Sequence, residues 1–160
     1  MNPREAIKLS IDMGDVVAMG YLEDLTDAEL FHRPAPNANH INWQLGHLIA
    51  STNHHLSKAA PGSEKPLPAG FAERYSPEAA ASDDRSVFLT KDELLKVRAE
   101  QRAAMLAALE KQSDADLDRP SGVEYAPTVG ALFSVEGSHW LMHAGQWAVV
   151  RRQLGRKPLF

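Results

Sequence analysis

The chain has 160 residues, 44% of them hydrophobic and 24% charged, which fits a single globular domain over residues 1–160 and lies outside the range of disordered chains. Its 17 basic and 21 acidic residues leave a net charge of −4, the wrong sign for a protein that coats phosphate backbones, so no nucleic-acid partner is expected. The absence of cysteine removes disulfides, thiolate metal sites and any cysteine nucleophile.

The opening "MNPREAIKLSIDMGDVV" has no basic segment leading into an uninterrupted apolar run. Neither a secretory signal nor a membrane span is expected, and the reading is a cytoplasmic protein. Asn2, Pro3 and Glu5 form a helix start, with a capping side chain, a proline in the first turn and a carboxylate facing back to the cap, so a first helix is predicted over 3–24. Thr26 and Glu29 repeat the capping-box pattern over a very short helix that "RPAPNAN" ends. A second long helix is predicted over 41–59. From Ser57 to Thr90 prolines and glycines stop any long regular element, and a connection of that length is expected to cover a site or its mouth.

Thr90 and Glu93 cap a third helix, 91–112, with an interrupted apolar stripe through Leu94, Leu95, Met105, Leu106 and Leu109. Thr128 caps a fourth, 128–154, which stops at Gly155 with Arg151, Arg152, Arg156 and Lys157 near the negative end of its dipole. No strand pattern competes. The expected fold is all-α: a four-helix bundle with a long crossover between helices two and three. The stretches "TDAELFHRP" (26–34) and "SDADLDRP" (113–120) resemble each other, and each lies between two long helices, as in a pair of related hairpins.

At about 100° per residue, Leu132, Val135, Glu136, His139, Met142, His143, Gln146, Val150 and Leu154 share one face of the fourth helix. Its centre is polar, and burying Glu136, His139, His143 and Gln146 unsatisfied would cost several kcal/mol. Histidines four apart on a helix can aim ring nitrogens at one point, as in metal-binding His-x-x-x-His pairs. The same pair also suits a core in which the imidazoles donate to carboxylates or backbone. In the second helix His40, Trp43, His47, Ala50 and His54 fall on one side, and His47, in the middle of a largely buried helix, needs a partner. His54 and His55 read as a solvated last turn, and His32 and His40, in or beside loops, carry no role. Trp43 and Trp147 suit the core better than a pocket wall, and Arg151 and Arg152 suit the helix dipole better than an anionic substrate.

These segments, "RPAPNANHINWQLGHL" and "TVGALFSVEGSHWLMHAGQWAVVRRQLG", resemble the DinB/YfiT-like superfamily, with its helix-borne His-Leu and its closing His-x-x-x-His-x-Gly-Gln pattern. The resemblance runs from about Leu25 to Gly155. It implies a four-helix bundle holding a divalent ion, most often zinc or nickel, on His47, His139 and His143, with coordination positions left open. It implies thiol-dependent transferases and isomerases, or hydrolases, acting on small molecules; a low-molecular-weight thiol cosubstrate would supply the nucleophile that a cysteine-free chain lacks. Glu136 and Gln146 become candidate catalytic groups, Glu136 as a general base or as an acceptor for a ligand imidazole, Gln146 as an orienting group. A small-molecule substrate and a homodimer are expected.

Two functional classes follow: a metal-dependent enzyme, or a bundle that binds a metal or ligand without turnover, as a sensor or dimeric scaffold. Three convincing ligands, where a structural zinc site normally has four, favour the enzyme. A ferritin-like di-iron site needs paired Glu-x-x-His motifs, and only Glu136 with His139 matches.

Overall fold

A computed structural model describes residues 1–159 of the chain. Helix α1 (Pro3–Leu22) starts as the capping residues require: Asn2 Oδ1 accepts from the Glu5 amide at 2.9 Å and Glu5 Oε2 accepts from the Asn2 amide at 2.9 Å. After a 3₁₀ turn at Glu29–Phe31 comes α2 (Ile41–Ala59), capped by the side chain of His40, whose Nδ1 accepts from the Trp43 amide at 3.0 Å. The crossover folds into a short helix α3 (Phe71–Arg74) and two further 3₁₀ turns. Then follow α4 (Lys91–Glu110), with a Thr90–Glu93 capping box, the short α5 (Asp114–Leu117), strands β1 (Pro120–Val123) and β2 (Ala126–Thr128), and α6 (Val129–Gln153). Helix α6 stops where Gly155 turns to φ 74°, a conformation open to a residue without Cβ.

The protein is mostly helical, with four long helices whose ends fall within one or two residues of those predicted. Two departures matter. The expectation of a fold without strands is corrected: β1 and β2 pair antiparallel as a small hairpin. "SGVEYAP" is too short for the alternating pattern that announces a strand, and its pairing depends on a tight turn at Glu124 and Tyr125 and on an irregular register inside β1, where Gly122 takes φ 76°. The second departure concerns α6, whose buried side runs through Phe133, Glu136, Gly137, Trp140, His143, Ala144, Trp147 and Arg151, while Met142 and Gln146 are exposed. The face predicted as the core stripe is therefore only half buried. α6 packs against both α1 and α2, which turns its apolar contacts through a wider arc than one stripe provides.

The two similar stretches both fold as short capped turns after a long helix. Thr26 caps one by accepting from the Glu29 amide, and Ser113 caps the other by accepting from the Asp116 amide at 3.1 Å.

Helix α2 also packs on α4, and α4 touches α1. The approach of α1 to α6 is set by glycines. A Cβ on Gly137 would lie 2.3 Å from the Ser10 carbonyl oxygen, and one on Gly14 would lie 2.7 Å from the Gly137 oxygen. The crossover is anchored by burial of Phe71, Tyr75 and Phe88, the Tyr75 ring lying over Gly46 of α2. No described helix is long and apolar enough to cross a membrane.

Candidate metal centre

Contact between α2 and α6 brings His47 to the pair His139 and His143, which the sequence places 92 residues and more away from it. His47 Nε2 lies 3.3 Å from His139 Nε2, and one ring nitrogen from each of His47, His139 and His143 falls within a 4.8 Å span. The ring centroids are 5.0–5.4 Å apart. Ligand nitrogens about 2.1 Å from one ion are separated by roughly 3.0–3.4 Å at octahedral or tetrahedral angles, and by no more than about 4.2 Å. The 3.3 Å pair already meets this. A separation at the full 4.8 Å closes by about 1.4 Å to reach the tetrahedral value, within reach of side-chain torsions.

Each imidazole is held differently. The His47 ring stacks on Trp43, nearly parallel at 7° with centroids 5.1 Å apart, and Trp43 Nε1 donates to the Ser76 carbonyl of the crossover at 2.9 Å. His143 is fixed by Gln44, whose amide orientation follows from its neighbours. Gln44 Nε2 donates to the Asn39 carbonyl at 2.7 Å, and Gln44 Oε1 accepts from the Trp147 indole N–H at 2.8 Å. A carbonyl only accepts and an indole N–H only donates, so Oε1 is the atom that faces His143 Nδ1 at 3.1 Å. His143 therefore carries its proton on Nδ1 and presents an unprotonated Nε2, the tautomer a metal ligand needs.

Burial pushes the His143 and His139 pKa values from 6.5 down to about 4, and neighbouring imidazoles reinforce the shift. Burial lowers His47 as well. All three rings are thus neutral at pH 7, with lone pairs available, and the donor set fits a divalent transition ion.

Through His47 and His139, with His143 buried behind them, the group reaches a cleft of about 560 Å³ lined by His47, Ser51 and His55 of α2, Tyr125 of the hairpin, and Val135, Ser138, His139 and Met142 of α6. None of these comes from the crossover. The hairpin, not the long connection, borders the cleft; the crossover acts one step back, through Trp43. A smaller cavity of about 30 Å³, with room for a water or two, lies among Asp15, Arg98, Arg102, Trp140 and Glu136 and touches none of the three histidines.

Glu136 is buried, but its carboxylate accepts from Thr52 Oγ1 at 2.6 Å and from His55 Nδ1 at 2.5 Å; among the described residues no hydrogen bond joins it to a ligand histidine. Gln146 is exposed and accepts from Gln44 Nε2 at 3.0 Å, so it touches the site through Gln44. His55 is not solvated; it is 4% exposed and bonded at both nitrogens. His40, expected to carry no role, is fully buried as the α2 cap, and its Nε2 donates to the Ser82 carbonyl. Arg151 is buried against Asp24 and the Tyr21 carbonyl, tying α6 to α1 away from the cleft. Sequence reading missed Gln44, Thr52, His55 and Tyr125. Gln44 lies three residues before His47, a spacing that marks a shared helix surface but does not say what faces it, whereas Thr52, five after His47, is turned about 140° away from it.

Fold and site together define a helical protein with three neutral imidazoles converging at an open cleft. The model of the DinB superfamily matches residues 17–147, and the chain belongs to that superfamily. It is similar to a solved structure described as the conserved protein of locus from Enterococcus faecalis, with a TM-score of 0.74 and 19% identity over 98% of this chain and 99% of the other. At that identity the likeness is one of fold. No curated protein matches the chain.

Proposed function

We propose that the four long helices form a four-helix bundle whose function is metal-dependent chemistry on a small molecule, either transfer or isomerisation assisted by a low-molecular-weight thiol, or hydrolysis. One observation carries this reading: three neutral imidazoles converge at an open cleft, and among the described residues no fourth histidine, cysteine or carboxylate joins the group. Imidazole donors suit zinc or nickel. When bound, a divalent ion keeps its full charge on such neutral ligands and supplies Lewis-acid chemistry to a carbonyl, water or thiol.

The chain's own residues bind and exclude. Gln44 and Trp147 hold His143 in the ligand tautomer, and Trp43 holds the His47 ring. Val135 and Met142 give the cleft an apolar wall, while Ser51 and Ser138 supply hydroxyls. No lysine or arginine lines it, which favours a neutral electrophile over an anionic substrate. Its size falls within the range of roughly 300–1,000 Å³ for small-ligand sites. A homodimer is supported by Leu9, Met13 and Val16, which are 56%, 53% and 62% exposed at i, i+4 and i+7 along α1.

The test is elemental analysis of tag-free protein purified without added metal, followed by a screen of neutral electrophiles with several thiols and with water. Roughly one zinc or nickel per chain and a metal-dependent turnover are expected. Stoichiometric metal with no turnover across the screen would favour a binding protein, and no metal uptake by the folded chain would overturn the site.

A further inference from the structure

Three linked side chains, two lining the cleft and one buried behind it, are not used by the metal site. Glu136, 3% exposed, accepts from the Thr52 hydroxyl on Oε2 and from His55 on Oε1. A carboxylate oxygen accepts, so His55 carries its proton on Nδ1, and in the neutral ring Nε2 offers a lone pair. That nitrogen lies 2.7 Å from the Tyr125 hydroxyl, which donates to it. His55 is buried and Tyr125 is 66% exposed near the hairpin tip, and both line the cleft beside His47 and His139. An ordered path therefore runs from a cleft-facing hydroxyl on the hairpin, through an imidazole on α2, to a buried carboxylate on α6.

Solvation alone does not require this arrangement. The His55–Glu136 contact satisfies the two buried groups at Nδ1 and Oε1, and an exposed phenol has water to bond. The order hydroxyl, imidazole, carboxylate is the one that activates hydroxyl groups and moves protons on unrelated folds.

We propose that Tyr125, His55 and Glu136 form a proton relay serving the cleft. A substrate X–H gives its proton to the Tyr125 oxygen as the Tyr125 proton passes to His55 Nε2, and the reverse transfer delivers a proton to the leaving group. One proton moves from X to His55 and no other atom is exchanged. Tyr125 is the catalytic residue because it touches the substrate; His55 is the proton store, and Glu136 with Thr52 are positioning residues that keep the ring in its tautomer. The relay deepens the proposed function and rests on it for the cleft being the reaction site, although its geometry involves none of the three ligand histidines.

The test uses the full metal-free chain and the acylating probe N-acetylimidazole, with peptide mass spectrometry to read O-acetylation at each tyrosine. The Tyr125 oxygen attacks the acetyl carbon as its proton is taken up by His55 Nε2, the acetyl–imidazole bond breaks, and His55 Nε2 returns that proton to the departing imidazole. Tyr125 should be acetylated at least about a hundredfold faster in the wild-type chain than in His55→Gln or Glu136→Gln, the lower end of what a positioned base contributes. A merely structural His55 predicts equal rates. Should either variant fail to fold, nitrogen-15 NMR of the wild-type imidazoles decides: the relay requires His55 as the Nδ1–H tautomer and a shifted Nε2 resonance in Tyr125→Phe, which loses only an exposed hydroxyl. Equal acetylation rates, or a His55 signal indifferent to Tyr125→Phe, overturn the relay. Metal content measured on the same variants separates the two readings: a chain that retains zinc but fails these tests loses the relay alone, and one that passes them without holding zinc loses the metal function alone.

Discussion

Replacing Gln44 by Leu tests the core of the site without touching a ligand. Gln44 is 1% exposed, and its Oε1 accepts from two buried donors at once, His143 Nδ1–H and the Trp147 indole N–H. Leucine keeps the size and helix propensity but leaves both donors unpaired. At about 1–3 kcal/mol for each buried unsatisfied group, the metal-free protein should lose about 2–6 kcal/mol. At about 2–4 °C per kcal/mol for a chain of this size, even the lower figure lowers Tm by about 4–8 °C. His143 also loses the partner that selects its tautomer, so zinc affinity should fall about 10- to 100-fold. Urea unfolding of the metal-free chain measures the first effect, and competition titration against a chromogenic zinc chelator measures the second. If the Gln44→Leu protein unfolds at the wild-type midpoint and binds zinc as tightly, the shared-oxygen argument is wrong.

Other perturbations have equally definite outcomes. His139→Ala and His143→Ala should each abolish metal retention through gel filtration while leaving the helical circular dichroism intact, because two imidazoles hold an ion far less tightly than three; retained metal in either variant removes that residue from the site. Burial depresses His40, His139 and His143 from 6.5 to about 4 in the folded chain, so their neutral forms contribute stability that is fully present above pH 6.5 and is lost as pH falls toward 4. Chemical denaturation of the metal-free chain across that window should show the decline, with a shallower slope in His143→Gln; a flat profile refutes the burial of these rings. Gly137→Ala should destabilise the chain by at least about 1–3 kcal/mol, since the new methyl meets the backbone oxygen of Ser10 and no flexible side chain can yield; a neutral effect by thermal melting would show that α1 and α6 do not cross there.

Much of this protein is determined locally and is therefore written in the sequence. Helix starts at Asn2, Thr90 and Thr128 are contacts between residues three apart, and Gly155 ends α6 by its own backbone freedom. The convergence of His139 and His143, four residues apart, on one face follows from helix geometry, and four polar groups amid an apolar stretch announce that something must satisfy them. What the chain's order does not state is the angle at which α2 and α6 face each other. That angle depends on the summed packing of α1, α4 and the crossover, including the glycine contact at Gly14 and Gly137. It decides that His47, not His54, meets the pair on α6, that His55 turns inward to Glu136, and that Gln44 lies beneath His143. It also decides the place of Tyr125: a turn of a two-strand hairpin too short to show a period in sequence becomes a wall of the cleft, because only tertiary contact brings a residue 70 positions beyond His55 within hydrogen-bond reach of it.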